Sequence, residues 1–115
     1  MGLFVLTRDQ AKKIAKDRDG RHCQYENPNQ TGEDDRYCNQ GPLEGAHVFP
    51  VDLYDEVSCE PWNIITLCSR HHLPVYSGSL DRLTTMRERI EWLEKHCPRW
   101  LEYHGIPGVM TEVDF

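Results

Sequence analysis

No stretch of the sequence approaches the ~20 consecutive apolar residues that a membrane-spanning helix requires. Near the start, Leu3-Phe4-Val5-Leu6 is too short for the apolar region of a secretion signal and runs directly into Thr7-Arg8-Asp9. Both absences predict a cytoplasmic chain. There is no internal repeat and no low-complexity segment. An excess of positive charge is missing too: 13 Lys and Arg against 19 Asp and Glu leave a net charge of −6. That balance lowers the expectation of tight nucleic-acid binding without removing it, because contact with a phosphate depends on the local face. Five cysteines, an odd number, make a closed disulfide framework awkward.

What is present fits one globular domain spanning residues 1–115. Hydrophobic residues make up 38% and charged residues 28%, ordinary for a folded protein. A domain of this size buries only about 60–70% of its unfolded surface, so its core energy is modest. The charge is uneven along the chain. Residues 1–22 carry six basic and three acidic side chains, whereas residues 23–62 carry one and nine. In a cytosolic chain, cysteines are more naturally metal ligands or free thiols than disulfides, and six histidines add imidazole to the supply.

The pattern predicts a helix over 7–19, capped by Thr7, with Ala11, Ile14 and Ala15 as its apolar stripe and Gly20 as its stop. The other face carries Arg8, Lys12, Lys13, Lys16 and Arg18. Asn27 to Gly41 has no periodicity and reads as a long loop, with Cys23 and Cys38 at its ends as anchors. Leu43 to Val51 is a candidate strand, and Asn63 to Leu67 a second, short and rich in branched residues. Cys68-Ser69-Arg70-His71-His72 opens a short helix, completing a ββα order. Apolar residues at 80, 83, 86, 90, 93 and 97 predict a last helix over about 79–97, ended by Pro98. Trp92, Trp100, Leu101 and Tyr103 read as packing residues, and the end of the chain from Gly105 as a tail. The predicted class is α+β.

Two constellations carry chemistry. Cys23, Cys38, Cys68 and His71 form a Cys₃His set of the kind that holds structural zinc. Cys59 and His72 are alternative members, and Cys97 reads as core. The second set is His47, Asn63 and His72, which a hairpin followed by a helix brings together. Phosphodiester hydrolysis needs a base for water and a divalent ion for charge on the phosphate. An imidazole titrating near neutrality suits the first role, and a second imidazole the other. A side-chain amide can orient the base or lend its oxygen to the ion.

Three blocks give a resemblance: Arg18-Asp19-Gly20-x-x-Cys23, Leu43-Glu44-Gly45-Ala46-His47-Val48-Phe49-Pro50, and Asn63-Ile64-Ile65-Thr66-Leu67-Cys68-Ser69-Arg70-His71-His72. Over about residues 18–76 the chain resembles HNH endonucleases, nucleases of the ββα-metal fold. More loosely, its C-terminal part is similar to small phage-encoded members. The resemblance implies a zinc-supported ββα core with flanking N- and C-terminal helices. It also implies metal-dependent cleavage of DNA, as a nickase or a double-strand endonuclease. By position His47 matches the general base, and Asn63 the residue that orients that base or contacts the metal. His72 matches a ligand of the catalytic ion. Cys23, Cys68 and His71 match structural zinc ligands. The implied catalytic ion is Mg²⁺ or Mn²⁺, with Ni²⁺ and Zn²⁺ as further candidates. The implied partners are DNA and, for a phage-encoded chain in a host cytoplasm, the DNA-packaging (terminase) proteins. Lys12, Lys16, Arg18 and Arg70 are the candidate phosphate contacts.

The chain departs from the family pattern at three places. Ala46 stands where many members have a metal-binding Asp or His, which leaves Glu44, Asp52 and Asp55 as candidate substitutes. Tyr76 replaces a further ligand of some members. The second cysteine of the first knuckle is displaced to Cys38. The rival expectation is a catalytically inactive, zinc-stabilised module that binds nucleic acid or protein.

Overall fold

The computed structural model describes residues 6–26, 38 and 41–104. Most of the expected 27–41 loop and the tail from Gly105 lie outside these residues. Helix α1, Arg8–Arg18, starts where a capping box satisfies its first amides. Thr7 Oγ1 accepts from the Gln10 amide at 3.1 Å, and Gln10 Oε1 accepts from the Thr7 amide at 2.8 Å. The helix ends at Asp19, and Gly20 takes a left-handed φ of +70° that turns the chain away. Ala11 and Ala15 are fully buried, but Ile14 is 44% exposed and is not part of the packed stripe. The contact face centres on Ala11, Lys12 and Ala15, which rotates Ile14 towards solvent.

Strand β1, Leu43–His47, pairs antiparallel with β2, Ile64–Cys68, in the register Leu43 opposite Cys68 and His47 opposite Ile64. The first strand stops well before the expected Val51, because its partner runs out. Residues Pro61–Asn63 form a 3₁₀ turn, so Asn63 precedes β2 by one residue. Beyond His47 the backbone is held by Asn63 rather than by a strand: Val48 N donates to Asn63 O at 2.8 Å.

Alternation sets the two faces of this hairpin. Gly45 and Ile64 meet α1, where a methyl group on Gly45 would lie 2.7 Å from Lys12 Cγ and 3.0 Å from Ile64 Cγ2. Ala46, Ile65 and Leu67 face the main core with Leu80, Leu93 and Trp92. Helix α2, Ser69–His72, follows β2 directly and completes the expected ββα order.

The expected 79–97 helix is two elements. A 3₁₀ turn spans Leu80–Arg82, and α3 spans Met86–His96 behind a second capping box between Thr85 and Glu88. Pro98 does end α3, but it also opens a further helix, α4, Pro98–His104; proline tolerates this first-turn position because its missing N–H would have no partner there. Trp92 and Trp100 are buried as expected, whereas Tyr103 is 85% exposed. The described residues form an α+β fold around a two-stranded sheet.

Because α1 sits against Gly45 without clearance, Gly45→Ala should cost about 1–3 kcal/mol through overpacking. Urea or thermal unfolding measures it, and an unchanged midpoint would show that α1 does not rest on the hairpin.

Candidate metal centre and histidine cleft

The turn at Gly20 delivers the chain to the free edge of β2. There Gln24 N donates to Thr66 O at 2.9 Å, and Asp19 Oδ2 accepts from Thr66 N at 3.1 Å. These bonds set Cys23 beside the end of β2, where Cys68 stands. One helical turn later comes His71, and Cys38 N donates to Tyr25 O at 3.0 Å. The Tyr25 ring stacks on His71 with centroids 3.7 Å apart.

Four donor atoms consequently converge. Cys68 Sγ is 3.3 Å and Cys23 Sγ 3.8 Å from His71 Nδ1, and Cys38 Sγ is 3.8 Å from Cys68 Sγ. All four lie within 4.8 Å of one another. A zinc tetrahedron has S–S edges of about 3.8 Å and S–N edges of about 3.5 Å, given its bond lengths. The observed separations fit that figure and are far too long for a disulfide. Among the described residues this is the cluster that can hold a metal such as zinc; Cys59 and His72 are not part of it, and Cys97 lies in the core. Burial, with the charge of Arg70 and then His96, lowers the His71 pKa to about 4, so its lone pair is available at neutrality. Burial also pushes the Cys23 thiol well up, so loading a metal must displace a proton.

The three residues of the second set take different places. His47 ends β1, and its Nε2–H donates to the Ser58 carbonyl at 2.7 Å, which leaves the lone pair on Nδ1. Burial lowers its pKa; the Ser58 carbonyl opposes this, and the charges of Lys12 and Arg8 reinforce it. Asn63 is fully buried, and its amide touches backbone instead of imidazole. Its Oδ1 accepts from Phe49 N at 2.7 Å, and its Nδ2 donates to Phe49 O at 3.2 Å and Val57 O at 3.1 Å. Asn63 thereby staples the segment after His47 to the one that presents Ser58. The amide thus brackets the backbone on either side of the His47–Ser58 hydrogen bond and does not bond the imidazole itself.

His72 lies between two carboxylates, Glu44 Oε1 at 2.8 Å from Nδ1 and Asp81 Oδ2 at 2.9 Å from Nε2. Burial opposes its charge, but hydrogen bonds to Asp81 and Glu44 outweigh that and raise its pKa. Arg89, itself buried, donates to Asp81 Oδ1 at 2.8 Å and to the His47 carbonyl at 2.7 Å. A cleft of about 300 Å³ is lined by His47, Pro50, Asp52, Pro74, Asp81 and Arg89. The two histidines are therefore joined through Asp81 and Arg89, and neither of these was expected from the sequence. Of the expected substitutes for Ala46, Glu44 meets His72, Asp52 lines the cleft and Asp55 pairs with Arg8 at 3.4 Å.

The candidate phosphate contacts divide as well. Arg70 is exposed on α2, while Lys12 and Lys16 are half-buried on α1. Arg18 is spent inside the fold: it pairs with buried Asp19 at 2.9 Å, donates to the Pro61 and Ile64 carbonyls, and lies over the Trp100 ring. Among the described residues no helix is long and apolar enough to cross a membrane. Comparison with family models, with curated proteins and with solved structures finds no match.

The cluster should bind one zinc ion, and cobalt in its place should show the intense visible bands of tetrahedral thiolate coordination. Cys68→Ser should lower zinc affinity by more than the ~10–100-fold typical of changes outside the ligand set. Titration against a competing chelator measures this. Asn63→Ala would leave the Phe49 amide and carbonyl without their partner, while Val57 O keeps the Glu60 amide, at about 1–3 kcal/mol for each unsatisfied group. Its unfolding midpoint should fall well below that of His47→Ala.

Proposed function

We propose that the protein is a metal-dependent DNA endonuclease of the HNH type, cutting phosphodiester bonds by hydrolysis. The observation that carries the reading is the pairing of His47 and His72 through Arg89 and Asp81 beside a Cys₃His cluster on a ββα unit. His47 is fixed by the Ser58 carbonyl with its basic atom, Nδ1, free of that bond, and it is held neutral at pH 7. It takes a proton from water, which attacks the phosphorus in line with the departing 3′-oxygen. A divalent ion held at His72 would stabilise charge on the phosphate and the leaving oxygen. Arg70, Lys12 and Lys16 contact the backbone, which gives affinity without sequence choice. A partner such as a phage packaging protein would then supply the address.

Ala46 supports the second reading, a zinc-stabilised binding module. It is fully buried and offers no ligand where many HNH endonucleases place one.

Supercoiled plasmid incubated with zinc-loaded protein and added Mg²⁺, Mn²⁺ or Ni²⁺ separates the two. The nuclease should nick it, and His47→Ala should lose about 10²–10⁴-fold in rate. Equal, ion-independent inertness of wild type and variant, with salt-sensitive DNA binding retained, would establish the binding module instead. The pH dependence carries a sign. Because the His47 pKa is lowered below 6.5, the acid limb of the rate should lie below pH 6.5. The corresponding stability is present above pH 6.5 and is lost as pH falls through the lowered value.

A further inference from the structure

We propose that Asp81 supplies the carboxylate of a divalent-cation site that it forms with His72, doing the work that Ala46 cannot. The inference rests on the nuclease reading and names the ligand which that reading leaves missing.

The two donors already face each other. Asp81 Oδ2 lies 2.9 Å from His72 Nε2, although nine positions separate the residues in sequence. Each partner is held from behind. Asp81 gives its other oxygen, Oδ1, to Arg89 at 2.8 Å, which fixes the carboxylate plane and leaves Oδ2 aimed at the imidazole. His72 gives Nδ1 to Glu44 at 2.8 Å, which fixes the ring and turns Nε2 towards Asp81. A carboxylate behind one imidazole nitrogen is the arrangement that orients metal-binding histidines and raises their basicity.

The position also follows from the fold. Glu44 and Ala46 share a face of β1 by alternation. At position 44 that face reaches His72; at 46 it is closed by the core, with Ala46 fully buried. The missing oxygen ligand must come from another element, and the 3₁₀ turn Leu80–Arg82 brings one. Asp81 lines the same cleft as His47, and Arg89 ties its carboxylate to the His47 carbonyl at 2.7 Å. One imidazole nitrogen and one carboxylate oxygen beside an open cleft that Asp81 lines suit an ion that keeps several waters, as Mg²⁺ and Mn²⁺ do.

The test is Mn²⁺ binding to the zinc-loaded full chain, followed by the paramagnetic signal of free Mn²⁺. Wild type should bind one Mn²⁺. Asp81→Asn should bind at least ten-fold more weakly, and Asp81→Glu should keep most of the affinity. Glu91→Gln, exposed on α3, should not differ from wild type. Zinc content and melting of each variant are checked alongside. Should Asp81→Asn fail to fold, Mn²⁺ added to wild type must broaden the backbone amide signals of His72 and Asp81 before others. The proposal is overturned if wild type binds no Mn²⁺ beyond its zinc, if Asp81→Asn binds as tightly as wild type, or if the broadening centres elsewhere. Mn²⁺ binding through Asp81 without plasmid cleavage would sink the nuclease reading and leave the site standing. Cleavage by a protein whose Mn²⁺ affinity ignores Asp81 would do the reverse.

Discussion

Convergence of Cys23, Cys38, Cys68 and His71 on one point is the constraint from which the rest of the architecture follows. A two-stranded sheet is not stable alone in water, and this one has its free β2 edge covered by the segment that carries Cys23. A metal at the cluster would tie that segment, Cys38 and the β2–α2 junction together at a single atom. The junction in turn fixes the start of α2, and with it the direction in which His72 projects. The Tyr25 ring stacked on His71 adds a rigid wall, and His96 from α3 stacks on Tyr25 in turn, at 4.8 Å. Helix α3 is thereby fastened to the Cys₃His cluster as well as to the apolar core. Binding free energy at such a cluster is folding free energy, because the unfolded chain has no preformed site.

Polar groups do the remaining tying, as expected of a chain with little apolar volume to spend. Asn63, Asp19, Arg18 and Arg89 each bridge backbone from separate parts of the sequence. Asn63 joins Phe49 to Val57, Asp19 caps Thr66, Arg18 reaches Pro61 and Ile64, and Arg89 reaches Leu83 and His47. A bridge of this kind adds little when complete, yet each group left unsatisfied on removal costs about 1–3 kcal/mol. Such brackets specify geometry more than they add stability. All four act on the hairpin or its flanks, where the histidines sit.

The ββα order and the Cys₃His set were legible in the sequence because residue type and local spacing carry them. Cys68-x-x-His71 at a strand-to-helix turn can point only one way, and branched residues mark β2. The last helix misled for a physical reason. Leu80, Leu83 and Met86 recur every three residues, which fits the 3₁₀ period as well as one face of an α-helix. The capping pair Thr85 and Glu88 marks the true start, and that signal lay inside an apparently continuous stripe. Ile14 and Tyr103 show the limit of apolar character as a guide, since exposure is decided by what approaches each face. Arg18 looked like part of a basic surface, and only tertiary contact with Asp19 reveals that its charge is used internally. Asp81 and Arg89 were invisible for the same reason: their partners are nine residues away or on another element.

If the proposed nuclease reading holds, charge around His72 bears on how an acidic chain could carry a site for a phosphodiester. Glu44 and Asp81 bring two carboxylates against the guanidinium of Arg89 and the imidazole of His72, and all four are partly or wholly withdrawn from water. Asp81 stays ionised there: burial works to raise its pKa, but the hydrogen bond and charge of His72, then Arg89, bring it below the usual value. The two carboxylates hold the imidazole from both sides, and that of Asp81 also lines the cleft. Phosphate, by contrast, would meet Arg70 on the outer face of α2 and the lysines of α1, away from the carboxylates. Net charge therefore describes solubility and long-range repulsion, while the separation of these two faces decides whether a cation and a phosphate can be held together.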